Sequence, residues 1–80
     1  MAWYDSARKI TYAPEVDAAY IYLVDAISAG EAVRTYRCDP SAVGGTINLD
    51  FDEAGRLLAA EVLGACRLLP AALVDRAVAP

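Results

Sequence analysis

The stretch that decides the fold is 46–63, TINLDFDEAGRLLAAEVL. Its first arm alternates without a break: Ile47, Leu49 and Phe51 point one way, Thr46, Asn48 and Asp50 the other. The run DEAG at 52–55 is turn chemistry, and 56–63 forms the returning arm. A four-residue loop sets Phe51 opposite Arg56, Leu49 opposite Leu58 and Ile47 opposite Ala60, with Val62 extending the same face. A three-residue loop, 53–55, would set Ile47 against Glu61, a poorer pairing for a buried face. The four-residue loop is therefore expected, with Gly55 last, where a left-handed backbone is cheap only without a Cβ.

Upstream, 9–12 (KITY) reads as a short strand and 13–17 as a turn, with Pro14 supplying a preset φ. Residues 18–24, AAYIYLV, form the strongest strand, β-branched and aromatic and apolar on both faces. Pairing Ala13 with Ala18 puts Ile10 and Tyr12 on the Ile21 face. A strand apolar on both sides needs cover on both sides. Residues 25–31 are a loop. Residues 32–38, AVRTYRC, are a more polar third strand with Arg34 and Arg37 on opposite faces, which suits a half-exposed or edge strand, and 39–45 is a turn. Downstream, Gly64 and Ala65 break the last strand. Residues 66–69 lead to Pro70, well placed to start a helix over 71–77 with Leu69, Leu73 and Ala77 on one face. The fold class is α+β: an antiparallel meander of four or five strands with one short C-terminal helix packed on one face. Residues 1–8 form an N-terminal arm carrying Trp3 and Tyr4, which reads equally as a docking arm or a loose tail. Residues 9–80 form a single domain.

Eighty residues make one small domain. Ordering them costs about 1.5 kcal/mol each, which burial in so small a core roughly cancels. Extra stabilisation is expected, and self-association leads metal or a disulfide. The helix covers one sheet face. The other carries Tyr20, Tyr22 and Ala59, with Tyr36 a further candidate, and no remaining segment is left to cover it. A homodimer through that face or through a sheet edge is expected. The net charge of −4 repels phosphate backbones and argues against nucleic-acid binding as the main activity. It favours a basic protein partner. No apolar run approaches the roughly eighteen residues of a membrane helix, and the N-terminus lacks a signal peptide's apolar core. The expected location is the cytoplasm. There Cys38 and Cys66 are expected to be small buried hydrophobes rather than a disulfide. With no His and no CxxC pair, no structural zinc site is expected.

The acids Asp50, Asp52, Glu53 and Glu61 are the cluster with chemical content. Counted from Asp50, they partly match a calcium loop, with Gly55 at the bend and Glu61 at the last position. Ala54 stands where a ligand is needed, both flanks are strands, and Glu61 lies roughly 20 Å from the turn along an extended arm. The cluster reads as an acidic hairpin turn, and no metal or cofactor is expected. Glu61 interrupts an apolar strand and falls opposite Thr46. It reads as a partner for Arg34 or Arg37, on a neighbouring strand or across a dimer interface. The sharper alternative is an acid–base residue, with Asp17, Tyr20 and Tyr36 as candidate helpers. Asp17 itself reads as a turn cap. Ser6, Ser28 and Ser41 have no His to activate them, and Gly44-Gly45 precedes a strand, so it is no phosphate cradle. The tyrosines at 12, 20, 22 and 36 suit a protein interface or sheet packing equally well. Interface candidates are Tyr20, Tyr22, Tyr36, Glu61 and Arg34. No catalytic set emerges. The expected function is that of an acidic homodimeric interaction module. Its rival is a ligand-binding or enzymatic subunit with a site at the dimer interface near Glu61.

Two separated segments, KITYAPEVDAAYIYL at 9–23 and LDFDEAGRLLAAEVL at 49–63, resemble the DUF2283 family of small domains of unknown function. Its members show K-I-x-Y-D-P-E-x-D-A-x-Y-I and later D-x-D-x-x-G-R-L-x-G-I-E-I-L, then a short helix. The likeness covers roughly 9–77. Ala13 stands where Asp is common, Ala60 sits near a position that often carries Gly, and 1–8 is additional. The resemblance implies no active-site residue. Small members are often encoded beside small toxin-like proteins, which implies an antitoxin-like role.

Overall fold

The computed structural model describes residues 9–80, so the arm 1–8, with Trp3 and Tyr4, lies outside the described residues. Five strands form one antiparallel sheet: β1 (Lys9–Ala13), β2 (Ala18–Tyr22), β3 (Arg34–Arg37), β4 (Thr46–Phe51) and β5 (Leu57–Leu63). Three short helices complete the chain: α1 (Pro40–Val43), α2 (Ala65–Leu68) and α3 (Ala71–Arg76). The expected α+β class and antiparallel sheet are present. The single C-terminal helix is instead a pair, α2 and α3, and the 39–45 turn contains one helical turn capped by Asp39.

The strand order is β1-β2-β5-β4-β3, which is not a sequential meander. The hairpin β1-β2 forms with Ala13 opposite Ala18 and Ile10 opposite Ile21, as the alternation requires. The chain β3-β4-β5 is a three-strand meander that returns β5 to the open side of β2. The reason is burial. β5, LLAAEVL, is apolar on both faces over most of its length, and so is β2, so the two lie side by side at the centre. The more polar β3 is left at the edge, with all four residues exposed. Loop 23–33 crosses three strand spacings, about 14 Å, well within its reach.

The β4-β5 hairpin closes with a three-residue loop, not four. The Asp52 N–H bonds the Arg56 carbonyl at 2.9 Å, and Gly55 takes a φ of 84° inside it. Such a loop alone would set Ile47 against Glu61. A β-bulge removes the conflict. Asp50 pairs with Ala59 and Phe51 with Leu57, leaving Leu58 unmatched. Beyond it Leu49 faces Ala60, Asn48 faces Glu61 and Ile47 faces Val62. One extra residue returns the apolar set of β4 to the core side. Glu61 thus sits opposite Asn48, where Thr46 was expected.

The core lies under α2, where Ala19, Val62 and Ala65 are buried among Tyr12, Ile21, Ile47, Leu68 and Leu69. Small residues allow the close approach. At Gly45 a Cβ would fall 2.6 Å from the Leu68 Cδ1 atom, so a side chain there would force Leu68 to shift from its seat against the start of β4. The outer edge of β1 is partly closed by Val78, which accepts from the Tyr12 N–H and donates to the Ile10 carbonyl, both at 2.9 Å. Among the described residues no helix is long and apolar enough to cross a membrane.

Candidate functional site

In an antiparallel sheet, residues directly opposite one another share a face. Two complete rows therefore cross the face turned away from α2. The first runs Thr11, Tyr20, Glu61, Asn48, Arg37; the second runs Lys9, Tyr22, Ala59, Asp50, Thr35. Ala59 is fully buried within its row. The side chains above it are linked. The Tyr20 hydroxyl donates to Asp50 Oδ2, and the Thr35 hydroxyl donates to Asp50 Oδ1 at 2.7 Å. Asn48 Nδ2 donates to Glu61 Oε1 at 3.2 Å. The Tyr20 and Tyr22 rings meet edge to face at 4.8 Å, and Lys9 Nζ lies 4.6 Å above the Tyr22 ring. Burial, and then the bond to Asp50, push the Tyr20 phenol well above its ordinary pKa.

Of the sequence candidates, Tyr20, Tyr22 and Glu61 share this face. Tyr36 and Arg34 do not. Tyr36 pairs with Leu49 and Arg34 with Phe51, which places Tyr36 on the helix side of the sheet. Grouping Tyr36 with Tyr20 and Tyr22 is thereby corrected, because the register between β3 and β4 decides the face. Glu61 bonds Asn48 rather than Arg34 or Arg37; the ion pair among the described residues is Arg56 with Asp52, at 3.7 Å. Of the three proposed helpers for Glu61, only Tyr20 is at hand. Sequence reasoning passed over Asp50, Asn48 and Thr35 as parts of this network. The alternation TINLD already put Asn48 and Asp50 on the polar side of β4; which strands flank it was the missing fact.

A second cluster joins the β1–β2 turn to the start of α2. Asp17 sits at a φ of 52°, unusual for a residue with a side chain. Its carbonyl accepts from the Gly64 and Ala65 N–H groups at 2.9 and 3.0 Å. Its carboxylate accepts from the Tyr12 hydroxyl at 2.6 Å and from the Cys66 N–H at 3.0 Å. Tyr12 and then Cys66 hold the Asp17 carboxyl below the usual range, while the bonds to Asp17 and to Cys66 raise the Tyr12 phenol. Asp17 was expected to cap its own turn through its side-chain oxygen; its carboxylate instead bonds the Cys66 N–H at the start of α2 and the Tyr12 hydroxyl. Cys66 is exposed, with Sγ 3.1 Å from the Tyr12 hydroxyl, and Cys38 is half-buried. Neither is the deeply buried hydrophobe expected.

Two open hollows lie at the end of the sheet remote from α2. One, of about 510 Å³, runs between loop 23–33 and the hairpin tip past Glu31, Asp52, Glu53 and Arg56. The other, of about 420 Å³, is floored by Tyr36 and Phe51 and flanked by Arg34. Glu61 lines neither. Among the described residues, no three side chains of the acid, Cys or His type gather closely enough to hold a metal ion.

A five-stranded antiparallel sheet with a few short helices, carrying a tyrosine–carboxylate network on the face turned away from α2, defines a small α+β domain. The family model described as "Protein of unknown function (DUF2283)" matches residues 9–65, and the chain belongs to that family. No curated protein and no solved structure matches it.

Proposed function

We propose that this domain is an acidic interaction module that works as a homodimer in the cytoplasm and takes a basic protein partner, in an antitoxin-like role. What carries the reading is how little the chain buries alone. Among the described residues the buried apolar ones are Ala19, Leu58, Ala59, Val62 and Ala65, and no large side chain is completely withdrawn from water. Leu23, Val33 and Tyr36 meanwhile stand 43%, 53% and 60% exposed towards the hairpin-loop end. A domain of this size has little stability to spare, and a second surface would remove these side chains from water. The charge of −4 and the hollow beside Glu31, Asp52 and Glu53 favour a cationic partner.

The test is light scattering on the purified chain at micromolar concentration, followed by capture of the untagged protein from its native cells and mass spectrometry. A dimer that co-purifies with a basic protein supports the reading. A monomer that comes out alone overturns it. The rival reading, a ligand site near Glu61, has Tyr20 and Asn48 beside that carboxylate, but the two hollows lie elsewhere.

A further inference from the structure

We infer that the homodimer forms edge to edge through β3, with a twofold axis beside Tyr36, joining two five-stranded sheets into one of ten strands. The inference rests on the homodimer reading and specifies its geometry.

The two sheet edges differ. The β1 edge carries the Val78 bridge, whereas among the described residues no strand or bridge pairs with the outer side of β3, whose four residues are exposed. Its hydrogen-bonding phase follows from its ends. The Cys38 N–H bonds the Ile47 carbonyl at 2.9 Å, so every second residue before it, Tyr36 and Arg34, turns its peptide groups towards β4. Thr35 and Arg37 turn theirs outwards. An exposed edge of this kind is a template for a further strand.

Symmetry then limits the register. A twofold axis normal to the sheet keeps each residue on its own face, and residues directly opposite must share a face. The axis therefore passes beside a residue, never between two. Beside Arg34 or Arg37 it would set like charges against each other. Beside Thr35 it would ask Val33 to bond Arg37 of the second copy, yet the Val33 N–H is already turned inwards to the Phe51 carbonyl at 3.0 Å. Beside Tyr36, Thr35 of each copy faces Arg37 of the other. The outward N–H and C=O of both residues are then all used, in four bonds. Arg34 faces Cys38, so no arginine meets another. The two Tyr36 rings, 60% exposed in one copy, meet on the helix side above the Phe51-floored hollows.

The experiment has three measurements on the full chain. Light scattering reads the oligomeric state. Arg37→Pro removes an outward N–H without touching the β4 ladder, since edge strands accept proline at such positions. It deletes two of the four bonds and should weaken dimerisation about tenfold or more, with the circular dichroism spectrum unchanged. Tyr36→Cys, in a background with Cys38→Ser and Cys66→Ser, places the introduced thiols in a non-hydrogen-bonded pair about 4.5 Å apart at Cα, within disulfide range. Air oxidation should give a covalent dimer on a non-reducing gel. A dimer that survives Arg37→Pro and does not cross-link overturns the β3 geometry and leaves the homodimer reading standing. A wild-type monomer overturns both. If Arg37→Pro fails to fold, the cross-link alone decides.

Discussion

The Tyr20 hydroxyl on β2 reaches over the central strand β5 to donate to the carboxylate of Asp50 on β4. Its path lies over Ala59, which is 0% exposed. A small side chain on the middle strand lets a long one on its neighbour bond a short acid two strands away. The open face is thereby tied across three strands by side chains as well as by the backbone ladder.

Tyr20→Phe removes this donor and leaves Asp50 its Thr35 bond. The expected loss is about 1 kcal/mol or less, since water still reaches the pair, read as a lower urea midpoint with an unchanged slope. Ala59→Leu fills the space beneath the bridge and should cost about 1–3 kcal/mol by overpacking. An Ala59→Leu protein as stable as the parent would show that the bridge does not lie tightly over that position.

Alkaline titration should separate two phenols. Tyr20 and Tyr12 both have pKa values raised above the ordinary 10.0. A raised pKa in the folded state means a contribution to stability that is complete below about pH 10 and is lost as pH climbs through the folded value. Tyrosinate absorbance should therefore show two groups ionising late, together with alkaline unfolding. In Tyr20→Phe one of them should vanish and the alkaline fall in the urea midpoint should become shallower. Full tyrosine ionisation near pH 10 with the fold intact would contradict this.

Asp17 predicts the opposite limb. Its pKa is depressed from 3.8 by the Tyr12 hydroxyl and the Cys66 N–H, so its contribution is present above about pH 4 and is lost as pH falls through the lower folded value. Asp17→Asn keeps a residue tolerant of positive φ and should flatten the acid limb of the stability curve. Asp17→Ala also loses the cap on α2 and places a Cβ residue at a φ of 52°, so its urea midpoint should fall further than that of Asn. Equal midpoints for the two variants would remove the cap from the account.

At the hairpin tip, Gly55→Ala tests the three-residue loop. Nothing lies within 4 Å of the position a Cβ would take, so the cost is conformational alone. A left-handed alanine should lose about 1 kcal/mol, measured by thermal or urea unfolding. No loss at all would mean that the loop is not held at a φ of 84°.

Much of the fold was legible. Period-two alternation marks 46–51 as a strand with an apolar and a polar side, and those sides are the ones observed, because the alternation belongs to the backbone pleat itself. The Ala13–Ala18 pairing followed from a turn within one short segment. The family resemblance rested on the same two segments. Less of the candidate site was legible. Tyr20, Tyr22 and Ala59 were placed on one face and Tyr20 was named as a helper for Glu61, but Asp50, Asn48 and Thr35 were not joined to them, because the strands that flank β4 were not known.

By itself, then, the amino-acid order determined what is local: the strands, their two sides, the glycine in the turn and the acidic balance. Tertiary structure alone decided that β5 lies beside β2, that Leu58 drops out of register, that Tyr36 belongs to the helix side and that the Asp17 carbonyl holds Gly64 and Ala65. Each of these depends on which distant segment becomes a neighbour. That choice is made by the summed burial and hydrogen bonding of whole strands, to which any one residue's local pattern contributes only a small part.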